Sequence, residues 1–255
     1  MKRIASLLLV AVLSFITSSS LWAKGVEIEE NYTPDPAITA RIASDPQLID
    51  IKLKTAMLSE IENPESIEIE IQHISPEDTA MGRFKRINVT AKRSTVSDIV
   101  IDKARIEFID VALNTKKLIE EEKIRPVNKC TINLDVSVQE NDLNKLLELK
   151  GKKNKVDRPR IKLNDGNIEL SGSTKYGFVK VDFWAKGSFS VKNEKEIWFH
   201  AGKMKVNRIS MPRNFVGTIA KKINPILNFS KFSFNVNVKT IKITKGNIRI
   251  TSFPD

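Results

Sequence analysis

The sequence predicts an α+β fold built on a large, mainly antiparallel sheet with few helices. Three observations predict it. Apolar and polar residues alternate with period two over much of the chain from Ser66 onward. The strand-like runs are joined mostly by short turns, which favours antiparallel pairing. Only three or four stretches carry helical 3–4 spacing, against about eight to ten that alternate. So few helices must cover a great deal of apolar sheet. Two architectures do this: one long, strongly curved sheet wrapped around one or more helices, or two sheets packed on each other. Periodicity alone leaves both open.

Lys2 and Arg3 open the chain, Ile4 to Ile16 is uncharged and mostly apolar, and Leu21-Trp22-Ala23 leads to a cut before Lys24. This order predicts a signal peptide over residues 1–23 and a chain exported to the periplasm or extracytoplasmic envelope. The apolar run has 13 residues, short of the ~20 that cross a bilayer as a helix. Leu21 is larger than the residue usual three before a cut, so an uncleaved anchor is the alternative. Residues 24–46 are polar, carry prolines and read as a tether. Residues 47–255 read as a single domain.

Within that domain Gln47 to Ile61 predicts a helix. Leu48, Ile49, Ile51, Leu53, Met57, Leu58 and Ile61 give it a broad apolar stripe, mostly at 3–4 spacing, and Asn63-Pro64 stops it. Ile67, Ile69 and Ile71 then alternate with Glu68, Glu70 and Gln72. Arg86 to Ala91 and Asp98 to Val111 continue as strands, and Thr115 to Glu122 is a short helix. Val127 to Val138 has Ile132, Leu134, Val136 and Val138 on one face and Thr131, Asn133, Asp135 and Ser137 on the other, a sheet dry on one side and wet on the other. Glu140 to Leu149 is a helix with Gly151 as its stop. A hairpin turns at Asp165-Gly166. Val179 to Val191 and Ile197 to Ile209 are strands. Phe215 to Ile223 is a helix ended by Pro225. Phe232 to Val238 is apolar on even positions and Ile241 and Ile243 on odd ones, which predicts a bulge or bend near Lys239-Thr240. Lys245-Gly246-Asn247 closes the last hairpin.

The net charge of +11 is unevenly spread: residues 149–255 carry +16 and residues 1–148 carry −5. A basic half asks for an anionic partner. For an exported chain this means phospholipid head groups or envelope polymers, and location argues against nucleic acid. The densest run is Lys150, Lys152, Lys153, Lys155, Arg158, Arg160 and Lys162, opposed by Asp157 alone. From Lys203 to Lys222 there is no acid at all. Trp184 lies on the polar parity of its strand between Asp182 and Lys186, where it suits a membrane interface or packs on a lysine stem.

Signals of catalysis are missing. The chain has two histidines, His73 and His200, and one cysteine, Cys130. No H-E-x-x-H pair, G-x-S-x-G turn or G-x-x-x-x-G-K loop occurs, and these counts exclude a Cys–His zinc cluster. Asn164 to Asn167 lacks calcium-loop spacing. No metal, cofactor or catalytic residue is expected. Cys130 shares parity with Ile132 and reads as core.

Three segments carry a family resemblance: Ser66 to Val111 with Gly82-Arg83-Phe84 inside it, Val136 to Leu147 with Gln139-Glu140-Asn141-Asp142-Leu143-Asn144, and Lys222-Ile223-Asn224-Pro225-Ile226-Leu227. In order and spacing the chain resembles the LmeA-like phospholipid-binding proteins of bacterial envelopes, over roughly Ile49 to Phe253. The resemblance implies a non-enzymatic lipid binder and chooses the curved sheet wrapped around helices, like tubular lipid-binding proteins. The expected function is therefore an envelope protein that binds, and on one reading carries, anionic phospholipid at a membrane surface. Acyl chains would lie in a groove lined by Leu143, Leu147, Phe183, Phe215, Ile219 and Ile223, with the head group at Lys150, Lys152, Lys153, Lys155, Arg158 and Arg160. The same apolar residues would equally fill an ordinary core. The rivals are an envelope scaffold without a lipid ligand and a glycan-acting enzyme, which needs two facing carboxylates in a cleft.

Overall fold

The structure, a computed structural model, describes residues 28–29, 31–59, 61–96, 99–153, 156–176, 179–225, 227–231 and 235–253. The predicted signal peptide lies outside them. In chain order the elements are α1 (Pro36–Ser44), α2 (Pro46–Leu58), β1 (Ser66–His73), α3 (Pro76–Ala80), β2 (Arg83–Val96), β3 (Ile99–Ala112), α4 (Thr115–Glu121), β4 (Thr131–Gln139), α5 (Glu140–Lys153), β5 (Val156–Asn164), β6 (Asn167–Tyr176), β7 (Val179–Lys192), β8 (Glu196–Val206), β9 (Ile209–Ser210), α6 (Arg213–Ile223), β10 (Leu227–Asn228), β11 (Asn235–Val236), β12 (Thr240–Thr244) and β13 (Asn247–Thr251).

The fold is α+β with mostly antiparallel strands. They form two sheets. The first runs β1-β2-β3-β4-β13-β12, with β11 parallel on β4; the second runs β10-β8-β7-β6-β5, with β9 on β8. The sheets meet end on. Gly166 N–H donates to the Ile243 carbonyl (2.9 Å), Gly246 N–H to Leu163 (3.1 Å) and Val238 N–H to Glu194 (2.8 Å).

Alternation in the sequence becomes registered rows in the first sheet. Ile69, Val89, Ile106 and Leu134 face one another across four strands, and Ile71, Ile87, Phe108 and Ile132 form the next row. The helices α1 to α4 pack on one another over this apolar face, α3 nearest the strands, and Ile42, Ile49, Leu53 and Leu118 are buried in the shared core. In the second sheet Leu170, Phe183, Ala185 and Phe199 point the same way and pack with Leu143 and Leu147 of α5 and Val216 of α6. Each core is thus mainly one sheet face closed by helices, with residues of the other sheet added where the two meet: Ile243 of β12 joins the second core and Ile197 of β8 the first.

Several elements differ from expectation. Pro36–Ser44, inside the stretch read as a tether, is a helix. Asp35 caps it by accepting from Ala37 N–H (3.0 Å), Pro36 suits its first turn, and Ile38 and Ile42, four apart, are buried. α5 runs past Gly151 to Lys153: an internal glycine costs only ~1 kcal/mol, and Lys152 and Lys153 suit a helix C-terminus. The phase slip at Lys239-Thr240 is a change of partner, since β11 pairs with β4 and β12 with β13.

The polar residues of the family motifs act as joints. Glu140 accepts from Leu163 N–H (2.6 Å), and Asp142, buried, accepts from Arg93 (2.5 Å). The Asn144 amide bonds both N–H and C=O of Ile161 (2.8 and 2.9 Å). Asn224 does the same for Phe199 (2.8 Å each).

Candidate functional site

Helix α2 is where covering the first sheet stops short. Its buried stripe is Ile49, Leu53 and Ala56, and its main neighbours are helices α1, α3 and α4 rather than any strand. Propped this way it stands off the sheet and encloses a cavity of about 420 Å³. One wall is Leu53, Ala56 and Met57 of α2 with Ile61 beyond it. The opposite wall is Ile87 and Val89 of β2 and Ile106, Phe108 and Val111 of β3. Leu113, Cys130 and the segment Glu122 to Pro126 close the sides. The volume falls in the ~300–1,000 Å³ range of small-molecule sites.

The lining is apolar except at the mouth. Ile106, Phe108, Met57, Ile61 and Ile124 are large apolar side chains that line the cavity. Water entering there would find almost no hydrogen-bond partners. The mouth carries Glu122, Lys123 and Arg125, all exposed. Glu122 accepts from Lys52 of α2 (2.6 Å) and Lys123 pairs with Glu121 (2.8 Å), which holds the Glu121 carboxyl below its usual range. Cys130 is buried in the wall, and burial pushes its thiol up to about 11. An apolar chamber with charge confined to its rim can take an aliphatic chain and leave a polar end outside.

The residues expected to line a groove lie elsewhere. Leu143, Leu147 and Phe183 are buried in the second core, and Phe215 packs partly buried against it. None of these four lines the cavity. The side chains of Ile219 and Ile223 lie outside the described residues. Lys150, Lys152 and Lys153 fall on the last turns of α5, Lys155 lies outside the described residues, and Arg158 and Arg160 are exposed on β5. The structure therefore brings the basic run to the second sheet and the cavity to the first. The cavity walls are visible in the sequence as an unusually broad stripe on α2 and as alternation in β2 and β3; nothing in either marks a space between them.

Two side-chain groups come nearest to catalytic arrangements. His73 contacts Asp50 of α2 (3.2 Å) and Thr79 of α3 (3.0 Å), but the Thr79 hydroxyl is buried and donates to the Ser75 carbonyl (2.8 Å). It latches α2 to α3. Ser190 and His200 touch at 2.6 Å on the open face of the second sheet, with no carboxylate on the imidazole among the described residues. Glu122 is the sole carboxylate lining the cavity among the described residues, so the facing pair of a glycan hydrolase is missing there. Among the described residues no cluster of metal-ligating side chains occurs, and no helix is long and apolar enough to cross a membrane.

No curated protein and no solved structure matches the chain. A family model does, over residues 46–253, from the start of α2 through β13 and so across both cores and the cavity: the chain belongs to the LmeA-like phospholipid-binding family.

Proposed function

We propose that this chain is an exported envelope protein that binds anionic phospholipid, with acyl chain in the cavity between α2 and the first sheet. The head group sits at the mouth, near Lys123 and Arg125. The observation that carries this is the apolar 420 Å³ chamber with charge only at its rim, in a chain of a phospholipid-binding family. Burial of each acyl methylene contributes ~0.8 kcal/mol, so about ten methylenes could supply micromolar affinity. In this reading the first sheet curls around the helices on its apolar face, and the two form the walls of one groove. Export is supported by the order of charges and apolar residues in 1–23. Binding without chemistry is supported by the apolar lining.

The test is native mass spectrometry of the chain purified from its host, with extraction to identify any ligand. One phospholipid per chain is expected. Ala56→Phe, which puts a ring into the cavity, should cut the lipid bound by about tenfold or more, because two displaced methylenes already account for that. A lipid-free chain that also takes up no phospholipid from vesicles would overturn the reading in favour of a scaffold.

A further inference from the structure

The second sheet has one end joined to the first sheet and one end free. The joined end carries Gly166, Leu163 and Glu194, whose backbone bonds to Ile243, Gly246 and Val238 tie the sheets together. At the opposite end the rows are Val156–Thr174–Val181 and then Asp182 with Asn207. The end of α5, the start of β5, the end of β6, the start of β7 and the β8–β9 turn all gather there, and α6 follows β9.

Two features of this end are unusual. Ile209 is 67% exposed and Leu149 65%, more than the other exposed large hydrophobics among the described residues. They stand at opposite edges, Ile209 on β9 beyond β8 and Leu149 on α5, which packs along β5, four strand spacings or ~19 Å apart across the sheet. Next to them are exposed Arg158, Arg208 and Arg213. Arg208 is in the tight two-residue turn between Val206 and Ile209, where Asn207 and Arg208 both have left-handed φ (48° and 67°). Such a turn favours glycine at its second position. Arg158 too is left-handed (φ 49°), in a β5 bulge that breaks the register between Asp157 and Arg160. Two arginines thus occupy backbone positions that cost an L-residue, and both lie at the same end. Asp157 and Asp182 also lie there, yet the flanking runs are strongly basic: no acid occurs from Lys203 to Lys222, and the last turns of α5 bring Lys150, Lys152 and Lys153 to this end.

We propose that this free end of the second sheet docks the protein on anionic phospholipid membranes, with Ile209 and Leu149 entering the interface and Arg158, Arg208 and Arg213 meeting phosphates. Apolar side chains set among cations suit a surface that is apolar beneath and anionic above. An acidic protein surface would use the arginines but leave Ile209 and Leu149 in water. The inference rests on the lipid-binding reading, which gives the chain a reason to visit membranes.

The test uses sedimentation with phosphatidylglycerol and phosphatidylcholine vesicles. Binding to the anionic vesicles is expected, with Ile209→Ser plus Leu149→Ser weakening it about tenfold or more. Arg158→Gln plus Arg208→Gln should weaken it roughly fivefold per arginine and flatten its salt dependence. Melting temperatures should not fall, since all four side chains are exposed. An independent readout is Ile209→Cys carrying a polarity-sensitive dye, which the buried Cys130 leaves as the reactive thiol. Its emission should shift to the blue with anionic vesicles. Full-strength binding by the Ser variant, or no spectral shift on binding, overturns the inference. Docking through this end by a wild-type chain that is purified lipid-free and takes up no phospholipid from vesicles would sink the cargo reading alone; a chain that holds lipid in its cavity and docks undiminished with both serines would sink this inference alone.

Discussion

Asn144 and Asn224 do the same work at two places. Each presents one amide to both polar groups of a strand residue, as a neighbouring strand would, Asn144 at Ile161 and Asn224 at Phe199. Ile161 and Phe199 are both buried, so neither backbone has water to fall back on. Asn144→Ala would leave an N–H and a C=O without partners at ~1–3 kcal/mol each. We expect a loss of about 2–4 kcal/mol in denaturant melts, and a smaller loss for Asn144→Asp, which still accepts from Ile161 N–H. Equal losses would mean that the acceptor half of the clamp contributes nothing. A second expectation concerns Cys130. Its thiol is raised to about 11 by burial, so the folded state favours the protonated form. That contribution is complete below the ordinary thiol range near 9 and is lost as pH climbs through 11. Stability of the wild type should therefore fall by roughly 2 kcal/mol more than that of Cys130→Ala between about pH 8 and pH 11. Parallel pH profiles would show that the thiol is not held in an apolar wall.

Strands show how far sequence periodicity reaches. Parity places Ile132, Leu134, Val136 and Val138 on one face of β4, and the register puts Leu134 opposite Ile106 and Ile132 opposite Phe108. The Asp165-Gly166 turn and helices α2, α4, α5 and α6 are equally legible. Helix α1 is not, although Asp35, Pro36, Ile38 and Ile42 spell a cap and a stripe; the polar composition around them outweighs a short signal. The cavity is illegible for a deeper reason. Alternation tells which face a side chain joins, not whether anything fills the space opposite. Phe183 and Phe108 look alike in sequence. Yet the Phe183 ring lies so close over Gly172 that a Cβ there would come within 2.8 Å of it, whereas Phe108 faces the cavity. Truncation separates them. Phe183→Ala should cost about 3–5 kcal/mol, as a filled core site does. In delipidated protein Phe108→Ala should cost about half that or less, because part of its surface already lacks partners. Equal costs would mean that the chamber collapses in solution.

At the scale of the molecule, one chain carries two cores that are filled differently. The first is a sheet face with helices and a hollow, the second a sheet face with α5 and α6, and Phe189 touches both. Lipid in the hollow would stabilise the first core by mass action, about 2.7 kcal/mol at a hundred times its dissociation constant. The backbone ties between Gly166 and Ile243 and between Gly246 and Leu163 pass only part of that to the second core, since they cross at one end of it. Local unfolding reports such differences residue by residue. Hydrogen exchange on lipid-loaded and delipidated protein should therefore diverge in α2, β2 and β3, where loaded protein exchanges more slowly. The difference should be much smaller in β6 and β7. The pattern also separates cargo from docking: vesicles added to delipidated protein with Ala56→Phe should slow exchange around Ile209 and leave α2 unchanged. Uniform protection by lipid across both sheets would show that the cores open as one unit, and protection confined to β6 and β7 would move the lipid out of the α2 cavity altogether.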